Sequence, residues 1–239
     1  MIMSSKGILL LGGGRSGTSY LANLFRVNGV YTGPVTGNNC ESVGMRHIND
    51  TYLSENFNAK KGSKRPYGTL PDTEIIISNE YKQHAANFVS QLKSQCDKDY
   101  WILKDPRSVL LHDMWTPHID NIVGIYRNPV YVVKSYVKMM GEYFTPEEAD
   151  LAEYIYIDYW KRFNQSLIHV LKNTNKPFNL FRFGPDMKYP IATLFSDLKL
   201  DLSSNNFNNT LAIETDIYDD PEIQYIMDEL EKLKTNKKN

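Results

Sequence analysis

Ile8-Leu9-Leu10-Leu11-Gly12-Gly13-Gly14-Arg15-Ser16-Gly17-Thr18-Ser19 passes from an apolar run through a glycine-rich turn into a helical pattern. That order predicts a strand, an anion-binding loop and a helix. Glycine lacks Cβ, so backbone N–H groups can curl around an anion, and a helix N-terminus adds a partial positive charge. Gly12 and Gly17 keep the G-x-x-x-x-G spacing of nucleoside-triphosphate loops, but Thr18 stands where those loops carry lysine. The cation lies inside the loop instead, as Arg15.

Outward from the loop, apolar runs alternate with helical patterns. Leu21, Leu24 and Phe25 share one face of the first helix, and Asn28-Gly29 ends it. Residues 41–53 read as a weak helix and 80–95 as a stronger one. A short strand over 100–103 runs into Lys104-Asp105-Pro106-Arg107, and a third over 121–126 runs into Arg127. Asn128 caps the next helix, with Pro129 at its first position and Val133, Val137 and Met140 as its buried face. A long helix over 146–171 carries Leu151, Ile155, Tyr159, Phe163 and Leu167 at four-residue spacing. A fourth strand over 178–183 and a last helix over 220–233 follow.

Strands that are apolar throughout and separated by helices predict a parallel sheet covered on both faces. The expected fold is α/β: a three-layer α/β/α arrangement of P-loop type with a sheet of about four to five parallel strands. One domain is expected over 1–239, with 58–71 a mobile loop and 235–239 a frayed tail. Lys60, Lys61, Lys64 and Arg65 in that loop read as a solvated surface, or as a lid.

Composition narrows the partners. The chain has 239 residues with 27 basic and 28 acidic side chains, a net charge of −1. That balance disfavours nucleic acid, so any anion site must be built locally. Two distant cysteines, Cys40 and Cys96, form no metal-type spacing and no disulfide framework, which predicts a reducing cytoplasm. The first residues lack a secretory signal's basic start and long apolar centre, and no apolar run reaches the roughly 18 residues of a membrane span.

The chemistry is expected where the strands end. Ligands of an open parallel sheet sit at the carboxyl ends of its strands. Three such ends would present Arg15, Lys104 with Arg107, and Arg127 to one crevice, a setting for a ligand with several anionic groups and no required metal. No His/Cys/Asp cluster has metal-ligand spacing, so no metal is expected.

Taken together, Gly14-Arg15-Ser16-Gly17-Thr18-Ser19, Lys104-Asp105-Pro106-Arg107, and Tyr126-Arg127-Asn128-Pro129 with Ser135 eight residues after Arg127 resemble the sulfotransferases that use 3′-phosphoadenosine 5′-phosphosulfate (PAPS). The first motif resembles that family's 5′-phosphosulfate loop, and the Arg-x-Pro followed by serine its 3′-phosphate motif. Trp160 and Phe181-Arg182-Phe183 fall in the family's order, and the resemblance spans roughly residues 7–185. It implies PAPS as co-substrate, 3′,5′-ADP (PAP) as product, and a small-molecule or glycan acceptor bearing a hydroxyl or amine. Gly13, Gly14, Arg15, Ser16, Gly17, Thr18 and Ser19 would hold the phosphosulfate. Arg127 and Ser135 would hold the 3′-phosphate, Arg127 through its planar fork. Oligomeric state is not encoded in any of these motifs.

Sulfuryl transfer needs a base to take the acceptor's proton. Glu41 is the first candidate, in Asn38-Asn39-Cys40-Glu41; the family carries a Gly-x-x-Glu-like segment there, whose glycine this chain lacks. Its alternative reading is a first-turn helix acid. His47 is the second candidate. Lys104 and Arg107 read either as contacts to the sulfuryl group or acceptor or as a buried ion pair with Asp105 that shapes the turn, with Asp105 orienting Lys104 rather than acting as base. His112 and His118, flanking Trp115, read as positioning or surface residues, and Tyr156 with Trp160 as core or as an acceptor-pocket wall. Two other functions compete. A P-loop nucleotide kinase would need Mg²⁺ and an acidic partner that the basic strand ends do not supply. A non-catalytic nucleotide-binding module would keep Arg15 and Arg127 and need no base.

Overall fold

The computed structural model describes residues 5–57, 75–140, 145–202 and 215–235. In chain order, the elements are β1 (Lys6–Leu11), α1 (Thr18–Val27), β2 (Val35–Thr36), β3 (Glu41–Ser42), α2 (Val43–Phe57) and α3 (Asn79–Gln95). Then come β4 (Tyr100–Lys104), α4 (His112–Trp115), β5 (Asn121–Tyr126), α5 (Pro129–Met140), α6 (Pro146–Asn173), β6 (Phe178–Arg182), α7 (Lys188–Asp197) and α8 (Pro221–Thr235). The residues 58–71 read as a loop lie outside the described residues, as do 236–239 of the expected tail. Thr235 itself closes α8, its hydroxyl donating to the Lys232 carbonyl at 2.8 Å.

The central sheet has four parallel strands in the order β4-β1-β5-β6. This is α/β with three layers, as the alternation of apolar runs and helices predicts. A pleated strand points successive side chains to opposite faces, and β1 feeds two cores in that way. Leu9 and Leu11 enter the cluster covered by α2, α3, α5, α6 and α8. Ile8 and Leu10 enter the cluster covered by α1 and α7, where Phe25 of α1 stacks on Phe195 of α7 at 4.8 Å. Burying both faces explains why β1 is apolar at every position after Gly7. Gly7 is required for contact: a Cβ there would lie 2.3 Å from the Trp101 ring.

The strand order fixes where a ligand can sit. From β1 the chain crosses to one side to make β4, then returns over β1 to make β5 on the other. The crevice above the carboxyl ends of β1 and β5 is therefore the switch point of the sheet, the usual ligand position in such folds. Among the described residues no helix is long and apolar enough to cross a membrane.

Two helical faces differ from expectation. In α5 the buried residues are Val130, Val132, Val133 and Tyr136, whereas Val137 is 38% exposed. In α6, Tyr159, Phe163 and Leu167 are buried but Leu151 is 55% exposed. Their neighbours Tyr136 and Ala152 are buried, so Val137 and Leu151 lie on a face of the same turns that points away from the core.

Candidate functional site

The loop between β1 and α1 turns on two left-handed residues. Gly17 has φ +92°, and a Cβ there would sit 2.1 Å from the Phe183 ring. Arg15 adopts φ 63° without glycine's freedom, a strained conformation of the kind that surrounding structure must enforce. Beyond Gly17, α1 starts with no side-chain cap. The Leu21 N–H reaches the Gly17 carbonyl at 3.1 Å, while the N–H groups of Thr18 and Ser19 belong to the first turn, which has no intrahelical acceptor. An anion at this helix start gains both those donors and the helix dipole.

The two sequence motifs meet. Arg15 Nε donates to the Ser135 hydroxyl at 2.8 Å, and Arg127 Nη1 donates to the Arg15 carbonyl at 3.3 Å. Arg127 also lies over the Phe183 ring, 5.1 Å from its centroid, and near Tyr131 at 5.8 Å. Two guanidiniums and a serine hydroxyl from β1, β5 and α5 thus share the switch-point crevice. Arg15 is exposed, and Arg127 and Ser135 are partly buried, so the charges remain within reach of a ligand.

Glu41 and Lys104 meet on the other side of the loop. Glu41 is in β3, not in a helical first turn: Cys40 at φ 51° turns the chain, and Glu41 pairs with Thr36. Its side chain is 15% exposed and lies 3.5 Å from Lys104 Nζ and 3.4 Å from Arg46. Lys104 Nζ, almost wholly buried, also donates to the Ser19 hydroxyl at 3.2 Å and to the Asn39 carbonyl at 2.9 Å. Burial pushes the Lys104 ammonium below its ordinary value, while Glu41 and Asp105 pull it back. A buried lysine between a glutamate and the first turn of α1 ties the loop to the candidate base.

Asp105 does not orient Lys104 through a hydrogen bond. Its carboxylate is taken by Arg107, whose backbone N–H donates at 2.8 Å and whose guanidinium donates through Nε at 2.7 Å and again through Nη2. Arg107 also pairs with Asp50 of α2, and Asp50 lies 3.6 Å from Arg46. A chain of alternating charges therefore runs from Asp105 through Arg107, Asp50, Arg46 and Glu41 to Lys104. Burial, then the nearby Glu41 charge, pushes the Asp105 carboxyl up to about 7, opposed by Arg107, Lys104 and Asn49. Burial likewise lowers Arg107 to about 10.

His47 is exposed on α2, offset by two residues from the buried Met45 and Asn49. His112 and His118 lie in the connection leading to the amino end of β5, opposite the loop. Tyr156 and Trp160 are core residues, each 1% exposed. Trp160 nevertheless supports the site, since its Nε1 donates to the Arg127 carbonyl at 2.9 Å. Among the described residues, no group of three or more His, Cys, Asp or Glu is placed to hold a metal ion.

Sequence reasoning missed the aromatic wall. The Gly14 N–H donates to the Tyr159 hydroxyl at 3.2 Å, and a Cβ on Gly14 would fall 2.1 Å from the Tyr136 hydroxyl. The only signal was the tyrosine-rich stripe of α6, which reads as packing. A groove of about 750 Å³ lies between β6, α7 and α8 and reaches Arg182, Glu231 and Phe183, the ring under Arg127. It follows the edge of the sheet opposite to β4, so it lies away from Glu41 and Lys104; convergent polar groups, not cavity size, mark the site. Compared with known proteins, the chain matches no family model and no curated protein.

Proposed function

We propose that the chain is a sulfotransferase that moves a sulfuryl group from PAPS to a hydroxyl or amine acceptor. The observation that carries this reading is the joining of Arg127 to the Arg15 carbonyl and of Arg15 to Ser135. It sets two anion-binding groups from different strand ends side by side, which suits a nucleotide with phosphates at both 3′ and 5′ positions.

In this reading the first turn of α1 and the loop N–H groups hold the 5′-phosphosulfate. Arg15 neutralises charge on the bridging oxygen as its bond to sulfur breaks. Arg127 and Ser135 take the 3′-phosphate through charge-assisted hydrogen bonds. Glu41 accepts the acceptor's proton while the acceptor oxygen or nitrogen bonds to sulfur, in line with the departing phosphate. Lys104 and Arg46 hold the Glu41 side chain in place. The kinase alternative needs an acid for Mg²⁺ at a strand end. Asp105 stands at the end of β4, but its carboxylate is engaged by Arg107.

Calorimetric titration with 3′,5′-ADP in the absence of Mg²⁺ tests the reading. Binding tighter than that of AMP supports it, and a preference for Mg·ATP overturns it. Transfer of label from PAPS across a panel of alcohols, amines and sugars then separates an enzyme from a non-catalytic module.

A further inference from the structure

The tyrosines packed against the loop bear on which phosphate chains it can accept. Tyr136 of α5 and Tyr159 of α6 are both buried, at 4% and 5% exposure. The two rings meet edge to face at 5.3 Å and their hydroxyls share a hydrogen bond. Tyr136 also stacks on Tyr156 at 4.6 Å, and Tyr159 packs on Phe163 at 4.0 Å, so neither ring can swing away. Both hydroxyls press on Gly14: one accepts its N–H, and the other fills the space a side chain would take.

In loops that hold triphosphates, the successive backbone N–H groups cradle the chain of phosphates, and the lysine after the second glycine reaches the outermost ones. Here the lysine is replaced by Thr18. The Gly14 amide, on the strand side of the loop, is already bonded to a protein hydroxyl. Anionic groups seated at the start of α1 keep their donors, but a chain continuing past Gly14 finds that amide already bonded and faces two packed hydroxyls.

We propose that Tyr136 and Tyr159 are specificity residues that limit the loop to a chain of two tetrahedral groups, as in a phosphosulfate or a diphosphate, and reject a third. This deepens the proposed function and rests on its loop being the 5′-anion site. It does not depend on the 3′-phosphate contacts.

The test compares AMP, ADP and ATP binding by calorimetry without Mg²⁺ in the wild type and in the Tyr136→Phe/Tyr159→Phe double variant. Removing both hydroxyls deletes the bond between them without leaving either unpartnered, the Gly14 N–H alone loses its acceptor, and the rings keep their packing. Tyr159→Phe alone, checked for a wild-type thermal transition, is the second variant. In the wild type, ATP should bind no better than ADP. Freeing the Gly14 amide should raise the ATP-to-ADP affinity ratio at least about tenfold, the effect of one hydrogen bond to a charged group, with the AMP affinity changing less. A ratio that stays within twofold of wild type in both variants, or a wild type that already favours ATP over ADP tenfold, overturns the proposal. The preference for 3′,5′-ADP over AMP is read separately, so failure of the sulfotransferase reading shows there and not in the ATP-to-ADP ratio.

Discussion

Arg127 donates to the backbone carbonyl of Arg15 across a separation of 112 residues. The bond joins the end of β5 to the loop after β1, and Arg15 carries the connection on to Ser135. The loop, the end of β5 and α5 are thereby tied together, which under the proposed function suits a ligand that touches all three.

The first prediction concerns that link. Arg127→Ala should weaken 3′,5′-ADP binding by about 1–3 kcal/mol, the range for losing a charged hydrogen-bonded contact. AMP, which lacks the 3′-phosphate, should be affected much less. Calorimetry with both ligands separates the two, and an equal loss for both would remove Arg127 from the 3′-phosphate role.

Glu41→Gln tests the base. The amide keeps the size of the side chain and its contact with Lys104 but cannot take a proton at neutral pH. Turnover should fall by about 10²–10⁴-fold, the usual contribution of a positioned base, while 3′,5′-ADP affinity stays within a few fold. Retained turnover in single-turnover kinetics would place the base elsewhere.

Much of this was legible in sequence because it is local. The glycine loop, the apolar strand β1 and the basic strand ends each follow from a few adjacent residues. What escaped is tertiary. Tyr159 lies 145 residues from Gly14, and a tyrosine at helical spacing carries no sign that its hydroxyl caps a loop amide. Arg107 was noticed, but its partner Asp50 lies 57 residues away on the face of a helix that is weak by pattern. Glu41 reads as a helix acid until Cys40 turns the chain into the left-handed region. Val137 and Leu151 show the reverse error, a correct helical period assigned to a face that turns away from the core beside the buried Tyr136 and Ala152.

Asp105→Asn should destabilise the fold by about 3 kcal/mol, the lower end of the cost of unpairing a buried charge. The amide retains one oxygen for Arg107 but presents N–H groups where the guanidinium needs an acceptor. Urea unfolding should show the loss as a lower midpoint with unchanged slope. A shift below about 0.5 kcal/mol, typical of surface changes, would mean that Asp50 alone satisfies Arg107.

Gly17→Ala combines two penalties at the loop. The φ of +92° disfavours any side chain, and the new methyl would lie 2.1 Å from the Phe183 ring. Strain and overpacking together should cost about 2–4 kcal/mol. Because Arg127 rests on that same ring, 3′,5′-ADP binding should weaken as well. A thermal midpoint and ligand affinity unchanged from wild type would show that loop and ring relax without loss.

The last prediction follows Tyr126, the residue before Arg127. Its buried hydroxyl donates to Glu231 of α8 at 2.6 Å, and Arg182 at the end of β6 reaches the same carboxylate at 3.4 Å. Burial pushes the Glu231 carboxyl up, but Lys234, Tyr126 and Arg182 outweigh it and hold it below the usual glutamate range. A carboxyl lowered in the fold contributes stability that is complete above its ordinary value and disappears as pH falls through the lower, folded one. Glu231→Gln removes that charge, so the stability gap between wild type and variant should be open at pH 6 and close progressively below about pH 4. The gap should stay under about 1 kcal/mol, because the side chain is partly exposed and screened. Glu231→Ala should cost about 1–3 kcal/mol more at every pH, since it leaves the buried Tyr126 hydroxyl without its acceptor. Its effect on 3′,5′-ADP affinity should be smaller than that of Arg127→Ala, because Glu231 acts on the site only by fixing the end of β5. An affinity loss equal to that of Arg127→Ala would instead make α8 a direct part of the ligand site.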